Sequence, residues 1–348
     1  MFLSLVVISG ITAEMGEPFF TPQVKAQVKW FGLGWIAFFA LAYFDYRKLR
    51  GSAWIAYIVL TLALIGLFFV PAIHSVHRWY RFGAFDVQPS ELSKLIIGLV
   101  LAVYIDHYRT GLSRLGPTLG ACFIGFFPAI LILREPDLGT AMIVSLMVCS
   151  LLYVAGAHRI VMRFLLGGMG AFALMVTLVF SGVIPHEVLR PHALKVMKEY
   201  QYERLMPGGY HQKAAQVAIG VGGVSGKGWR QADYTGGQWL PAAHTDSAFA
   251  AYSEQFGFVG VIVLSALFFA LLYLGCSVAA SARDIFGKML ATSITAGLGG
   301  HVLVNMGMMS GLLPITGVPL VLVTYGGSSV LTTMMGLGLL QSIYMRRY

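Results

Sequence analysis

Apolar residues run through this chain in long blocks, separated by short clusters of charged and turn-forming residues. Blocks of this length fit the roughly 17–25 residues that a helix needs to cross a bilayer. The pattern predicts helices near 28–45, 52–72, 91–107, 115–133, 138–156, 160–184, 247–278, 285–310 and 320–345. The opening stretch, Phe2–Ala13, is apolar but short for a full crossing. It lacks the basic start and small-residue cleavage site of a signal peptide and counts as a first helix. The expectation is an all-α polytopic membrane protein with ten transmembrane helices, forming one domain over 1–348. A large extracytoplasmic loop, about 185–246, separates helices seven and eight.

Basic residues orient those helices. Arg47-Lys48-Leu49-Arg50, Arg109 with Arg114, Arg159 with Arg163, Arg283 with Lys288, and Arg346-Arg347 fall on alternate connections. Positively charged loops stay in the cytoplasm, so both termini are expected inside. The short opposite loops hold only Lys25, Lys29, Arg78, Arg81 and Arg134.

Composition agrees. The chain is 57% hydrophobic and 11% charged, where soluble domains carry about 25% charged residues. Its mean hydropathy is +0.75. The net charge of +9 includes seven basic residues of the long outer loop: Arg190, Lys195, Lys198, Arg204, Lys213, Lys227 and Arg230. Orientation does not require them there. They suit an anionic head group or, equally, a solvated or lipid-facing surface. No module or basic arm points to nucleic acid. Cys122, Cys149 and Cys276 lie inside apolar spans and read as packing residues. The nine His show no zinc spacing.

Candidate chemistry starts at Gln238-Trp239-Leu240-Pro241-Ala242-Ala243-His244-Thr245-Asp246-Ser247, just ahead of a long apolar run. Asp246 therefore sits where a membrane helix leaves the aqueous side. An acid at that depth is costly without a partner and is a functional candidate; capping the helix is an equally good use of it by position alone. The glycine-rich stretch Gly220–Gly228 fails as a nucleotide loop. Val221 stands where the P-loop needs Gly, and Gly228 where it needs a hydroxyl after Lys227. It reads as a loop tip whose N–H groups could approach a phosphate.

Three further clusters stand out. Arg78-Trp79 precedes Gln88-Pro89-Ser90-Glu91-Leu92-Ser93-Lys94, where Pro89-Ser90 can start a helix. Glu91 and Lys94 are three apart and share a face of it, as a structural pair would. Arg78, Arg81 and Trp79 fit an interface anchor, and the arginines also fit a pyrophosphate. Arg134-Glu135-Pro136-Asp137-Leu138-Gly139-Thr140 forms a tight turn in which Asp137 can cap the next helix. Gly311-Leu312-Leu313-Pro314-Ile315-Thr316-Gly317-Val318-Pro319, followed by Tyr325-Gly326-Gly327-Ser328-Ser329, predicts broken or re-entrant backbone. Such backbone is tolerated at membrane depth only where protein or water covers it.

Taken together and in this order, these clusters resemble the SEDS family of polytopic cell-wall glycosyltransferases, which includes RodA and FtsW. Further matching stretches are Ala141, Gln216-Val217-Ala218-Ile219-Gly220, Gly226-Lys227-Gly228, and Glu254 through Gly257-Phe258-Val259-Gly260. The resemblance spans about residues 78–329. Three positions depart from the family pattern: Ala242-Ala243 after the Leu-Pro, Ser247 in place of Phe, and Asp86 where the elongation branch is often basic.

The resemblance implies an inverting peptidoglycan glycosyltransferase of bacterial cell elongation, with the RodA branch favoured. Its substrate would be lipid II on the outer leaflet of the cytoplasmic membrane, and undecaprenyl pyrophosphate its leaving group. Asp246 matches the general base. Arg78, Trp79, Glu91, Lys94, Asp137, His244 and Thr245 are the candidate substrate-binding residues. A divalent cation, Mg or Mn, could neutralise the leaving group, although no acidic cluster demands one. A class B penicillin-binding protein is the implied partner, beside membrane lipids. Two other readings compete. One is a flippase for the same lipid, which would place ionisable residues near the midplane between repeated halves; this chain shows no internal repeat. The other is a non-catalytic scaffold, which leaves Asp246 idle.

Overall fold

The computed structural model describes residues 1–12, 18–70, 78–82, 85–184, 190–191, 202, 209–237 and 239–348. Lys195, Lys198, Arg204 and Gln238 fall outside the described residues. The regular structure of the described chain is helical apart from one short hairpin. In order, the helices are α1 (Phe2–Thr12), α2 (Pro22–Tyr43), α3 (Ala53–Leu67), α4 (Pro89–Tyr108), α5 (Leu115–Arg134), α6 (Leu138–Val154) and α7 (Arg159–Phe180). There follow α8 (Tyr210–Gly222), α9 (Asp233–Gly236), α10 (Ala248–Ser281), α11 (Ile285–Met309) and α12 (Gly327–Met345). Among the described residues, α5, α7, α10 and α11 are long and apolar enough to cross a membrane, and α1, α3 and α6 are shorter apolar helices. Side chains on α7 such as Phe164 and Leu174 are exposed, as on a surface that meets lipid.

Several boundaries differ from expectation. Helix α2 starts at Pro22 rather than near residue 28, because Thr21-Pro22 is a start signal. The Thr21 hydroxyl accepts from Val24 N at 3.3 Å. Lys25 and Lys29 thus belong to the helix and not to a loop. Strands β1 (Tyr80–Phe82) and β2 (Phe85–Val87) pair antiparallel in the connection before α4, with Tyr80 opposite Val87. The long loop carries α8 and α9. The last span loses residues 320–326 to non-helical backbone.

The chain divides into two compact units built from interleaved stretches. One comprises 1–30, 167–269 and 301–326; the other comprises 31–166, 270–300 and 327–348. In the second unit, Ile97, Leu101, Ile132, Ile143, Met147 and Leu151 are buried between α4, α5 and α6. Gly125 lets α5 approach α6, since a Cβ there would lie 2.6 Å from Val148 Cγ2; small residues serve helix contacts in membranes in this way. Pro128 inside α5 removes the N–H that should bond Ile124 O. The Tyr57 hydroxyl donates to that carbonyl at 2.9 Å, so no backbone acceptor is abandoned. The hairpin is fixed to α3 by Tyr80 Oη donating to Ala63 O at 2.8 Å.

In the first unit, α10 contains a break. Gly257 sits at φ 62°, ψ −164°, a conformation reserved in practice for glycine. The glycine-rich stretch after α8 fills the break. Lys227 N donates to Glu254 O at 2.9 Å and Gly228 N to Gln255 O at 3.0 Å. In return Phe258 N donates to Gly223 O at 2.9 Å and Val259 N to Val224 O at 3.1 Å. Gly220–Gly228 is therefore a plug for a broken helix, and the N–H groups of Lys227 and Gly228 face protein carbonyls instead of a phosphate.

Candidate functional site

In the first unit, residues 241–247 form consecutive turns leading into α10. Ser247 N donates to Ala242 O, and Ser247 O accepts from Ala251 N, so the N-cap position falls on Ser247 and not on Asp246. The Ser247 hydroxyl donates to Pro241 O at 2.8 Å and lies 2.6 Å from His211 Nε2 on α8. Thr245 Oγ1 donates to Ala242 O at 3.3 Å. Asp246 is partly buried, and its carbonyl accepts from Asn305 Nδ2 on α11 at 3.0 Å.

The same Asn305 nitrogen donates to Val318 O at 2.6 Å. One turn earlier on α11, His301 Nδ1 lies 3.1 Å from Pro319 O and must donate, because a carbonyl only accepts. These contacts hold the non-helical segment 314–326, most of which is buried, as broken backbone in an apolar setting requires. Gly317, at φ 73°, faces the Asp246 carboxylate closely: a Cβ there would lie 3.3 Å from Oδ2. The far end of the segment is also tied down. Tyr325 N donates to His244 O at 2.9 Å, and the two rings meet edge to face. Gln27, fully buried on α2, donates to Thr324 O at 3.2 Å and accepts from Gly326 N at 3.4 Å. Behind α10's first turns, the buried Glu254 carboxylate accepts from Tyr234 N, Thr235 N and the Thr235 hydroxyl, which caps α9.

In the second unit, α4 opens with Pro89 at its first position and Gln88 as its N-cap residue. Ser90 does not cap the helix. Its hydroxyl donates to Asp137 Oδ2 at 2.9 Å, and Gln88 Nε2 donates to the same oxygen at 3.1 Å. Asp137 Oδ1 accepts from Thr140 N at 3.2 Å, the cap of α6. Lys94 Nζ lies 2.9 Å from Glu91 Oε2, with both side chains nearly buried. Thr332 Oγ1 donates to the same Glu91 oxygen at 3.3 Å. Arg78 Nε donates to Glu135 O at 3.1 Å, and a second guanidinium N–H reaches Pro136 O. Glu135 itself is buried, and both carboxyl oxygens lack a hydrogen-bond partner. Burial pushes its pKa up to about 8, with the Asp137 charge adding and Arg78 opposing. Trp79, partly buried, leads directly into β1.

The family model described as "Cell cycle protein", for FtsW, RodA and SpoVE, matches residues 1–348. The chain belongs to the FtsW/RodA/SpoVE family. It is 30% identical over 359 residues to the peptidoglycan glycosyltransferase MrdB of Escherichia coli K12, covering 100% of this chain and 92% of that protein. Among solved structures, it resembles a chain of a peptidoglycan synthase complex that coordinates polymerization and crosslinking. The TM-score is 0.75 at 28% identity, covering 100% of this chain and 97% of that one. The rod shape determining protein RodA of Thermus thermophilus matches with a TM-score of 0.73 at 25% identity, covering 100% and 93%.

On this family's scaffold the sequence-selected residues fall into two groups. Asp246, His244 and Thr245 share one run of turns. Arg78, Trp79, Glu91, Lys94 and Asp137 gather around the start of α4 and the α5–α6 turn. Sequence reasoning missed Asn305, Gln27, His211 and Thr332. For Asn305 and Gln27 the available signal was a lone amide at an apolar position, which needs a hydrogen-bond partner when buried. Among the described residues, no group of three or more His, Cys, Asp or Glu could hold a metal ion.

Proposed function

We propose that this chain is an inverting peptidoglycan glycosyltransferase of the RodA kind, polymerising lipid II on the outer leaflet of the bacterial cytoplasmic membrane. It would do so as a single transmembrane domain of ten spans with both termini in the cytoplasm. The carboxylate of Asp246 takes the proton of the acceptor sugar hydroxyl. The hydroxyl oxygen attacks the donor's anomeric carbon from the face opposite the leaving group, and the bond to undecaprenyl pyrophosphate breaks. The observation that carries this reading is the placing of Asp246. It stands in the family's motif, outside the cap position, with its backbone carbonyl held from α11 and a glycine turn against its carboxylate. A general base needs this kind of fixed geometry.

The remaining candidates have roles that follow from their chemistry. The Arg78 guanidinium has five N–H donors, and its bonds to Glu135 O and Pro136 O occupy two of them. It is suited to bind pyrophosphate while gripping the α5–α6 turn. Lys94, balanced by Glu91, brings a cation to the start of α4, and Asp137 braces that start. Trp79 is a further candidate for substrate binding beside Arg78, and His244 and Thr245 are candidates beside Asp246. Charge on the leaving group is met by Arg and Lys, and a divalent cation, Mg or Mn, would add to that neutralisation. The partner is a class B penicillin-binding protein, which crosslinks the new strands.

Purified protein, alone and with that partner, is to be incubated with fluorescent lipid II and the products separated on a gel. Ladders of glycan strands are expected. Lipid II recovered intact under both conditions, from well-folded protein, would remove the polymerase reading.

A further inference from the structure

We propose that Asn305 is a positioning residue for Asp246, acting through two backbone segments and not on the substrate. The inference rests on the reading of Asp246 as the base. Asn305 is fully buried on α11. Its Nδ2 donates to the carbonyl of Asp246 at 3.0 Å and to that of Val318 at 2.6 Å. The reverse orientation of the amide would set Oδ1 against two carbonyl oxygens, so the acceptors fix which atom faces them. Its Oδ1 is buried without a partner among the described residues. The side chain thus leaves its own acceptor unsatisfied while serving both carbonyls, an arrangement that costs free energy.

What it holds is specific. The Asp246 segment is a run of turns with no regular ladder, and Ala242 within it has a positive φ of 49°. The Val318 segment begins beside Gly317, whose backbone lies against Asp246 Oδ2. One amide on a rigid helix therefore fixes the residue that bears the carboxylate together with the turn packed against that carboxylate. His301, one helical turn earlier, ties Pro319 O to the same helix. Losing Asn305 frees both sides of the carboxylate's setting at once. Displacement of a catalytic group by about 1 Å can cost on the order of 10²-fold in rate.

The test uses the full chain with its partner and compares Asn305→Asp, nearly isosteric but without the donors, with Asn305→Ser, which keeps one. Steady-state kinetics on lipid II, melting temperature and the pH profile of kcat/KM are read for each. The expected result is a fall in kcat of roughly 10- to 100-fold for Asn305→Asp, with KM within about twofold and the acid limb of the pH profile moved. Asn305→Ser should recover part of the loss. A rate that falls only with the fraction of folded protein, at unchanged KM and pH profile, would make Asn305 a structural residue and overturn the proposal. A raised KM at unchanged kcat would overturn it too. If Asn305→Asp does not fold, the same split is read on Asn305→Ser. Asp246→Asn runs in parallel. If it polymerises normally, the base reading fails; if it is inactive while both Asn305 variants keep kcat, only the present inference fails.

Discussion

Glu135 is a carboxyl group in the wrong surroundings for a carboxylate. It is buried, its oxygens have no partners, and the neighbouring guanidinium serves backbone carbonyls instead. Its pKa of about 8 lies above the ordinary 4.5. Between those values the folded chain binds more protons than the unfolded one, so stability falls as pH rises through this window. Melting measured from pH 5 to 8.5 in one detergent should show that decline. Glu135→Gln should flatten it and stabilise the alkaline end; an unchanged slope in the variant would show Glu135 to be charged throughout. The Glu91–Lys94 pair leads to the opposite kind of expectation. Removing one member of a nearly buried ion pair strands the other, at a cost of about 3–5 kcal/mol. Lys94→Met should lower the melting temperature markedly and reduce polymerisation, and wild-type values for both would contradict this.

At the level of elements, blocks of apolar residues announced the helices because a membrane span has a fixed length. They could not announce the break in α10. Nothing in the residues next to Gly257 forbids a helix, and what interrupts it is the Gly220–Gly228 plug, which is distant in sequence. The same stretch misread as a loop tip has its N–H groups committed to Glu254 O and Gln255 O. The hairpin at 80–87 was hidden for another reason: two strands of three residues each are too short to show a period. Re-entrant backbone after α11 was legible, because Pro314, Gly317 and Pro319 cannot continue a helix in an apolar run. The amides that hold it were not, since a single Asn or Gln gives no pattern. Gly257→Ala tests the break. Its Cβ would come 2.3 Å from Gly226 N, and the backbone conformation alone costs about 1–3 kcal/mol. The variant should melt lower and lose activity. Tyr57→Phe should cost about 1–3 kcal/mol by leaving Ile124 O without its donor; an unchanged melting temperature would mean that α5 satisfies the Pro128 gap in another way.

For the whole molecule, orientation and chemistry are joined. Asp246 can act on an outer-leaflet lipid only if the connection before α10 is extracytoplasmic, as the alternating basic loops predict. In a chain with Cys122, Cys149 and Cys276 replaced by Ser, an impermeant thiol reagent applied to intact cells should label a cysteine placed at Val224, which is exposed. It should not label one placed at Lys48. The reverse pattern would invert the topology and remove the outer-leaflet reaction with it.

The central claim is that Asp246 is a base and not a structural residue. The most direct measurement is lipid II polymerisation by purified Asp246→Asn protein in complex with its partner, after monodisperse elution and an unchanged melting temperature establish that it is folded. Asn keeps the size, the backbone carbonyl bonded by Asn305 and one acceptor oxygen, and loses the charge and the ability to take a proton. A positioned base contributes roughly 10²–10⁴-fold, so strand synthesis should fall below detection. Glycan ladders of wild-type intensity from the folded Asp246→Asn protein would contradict the account.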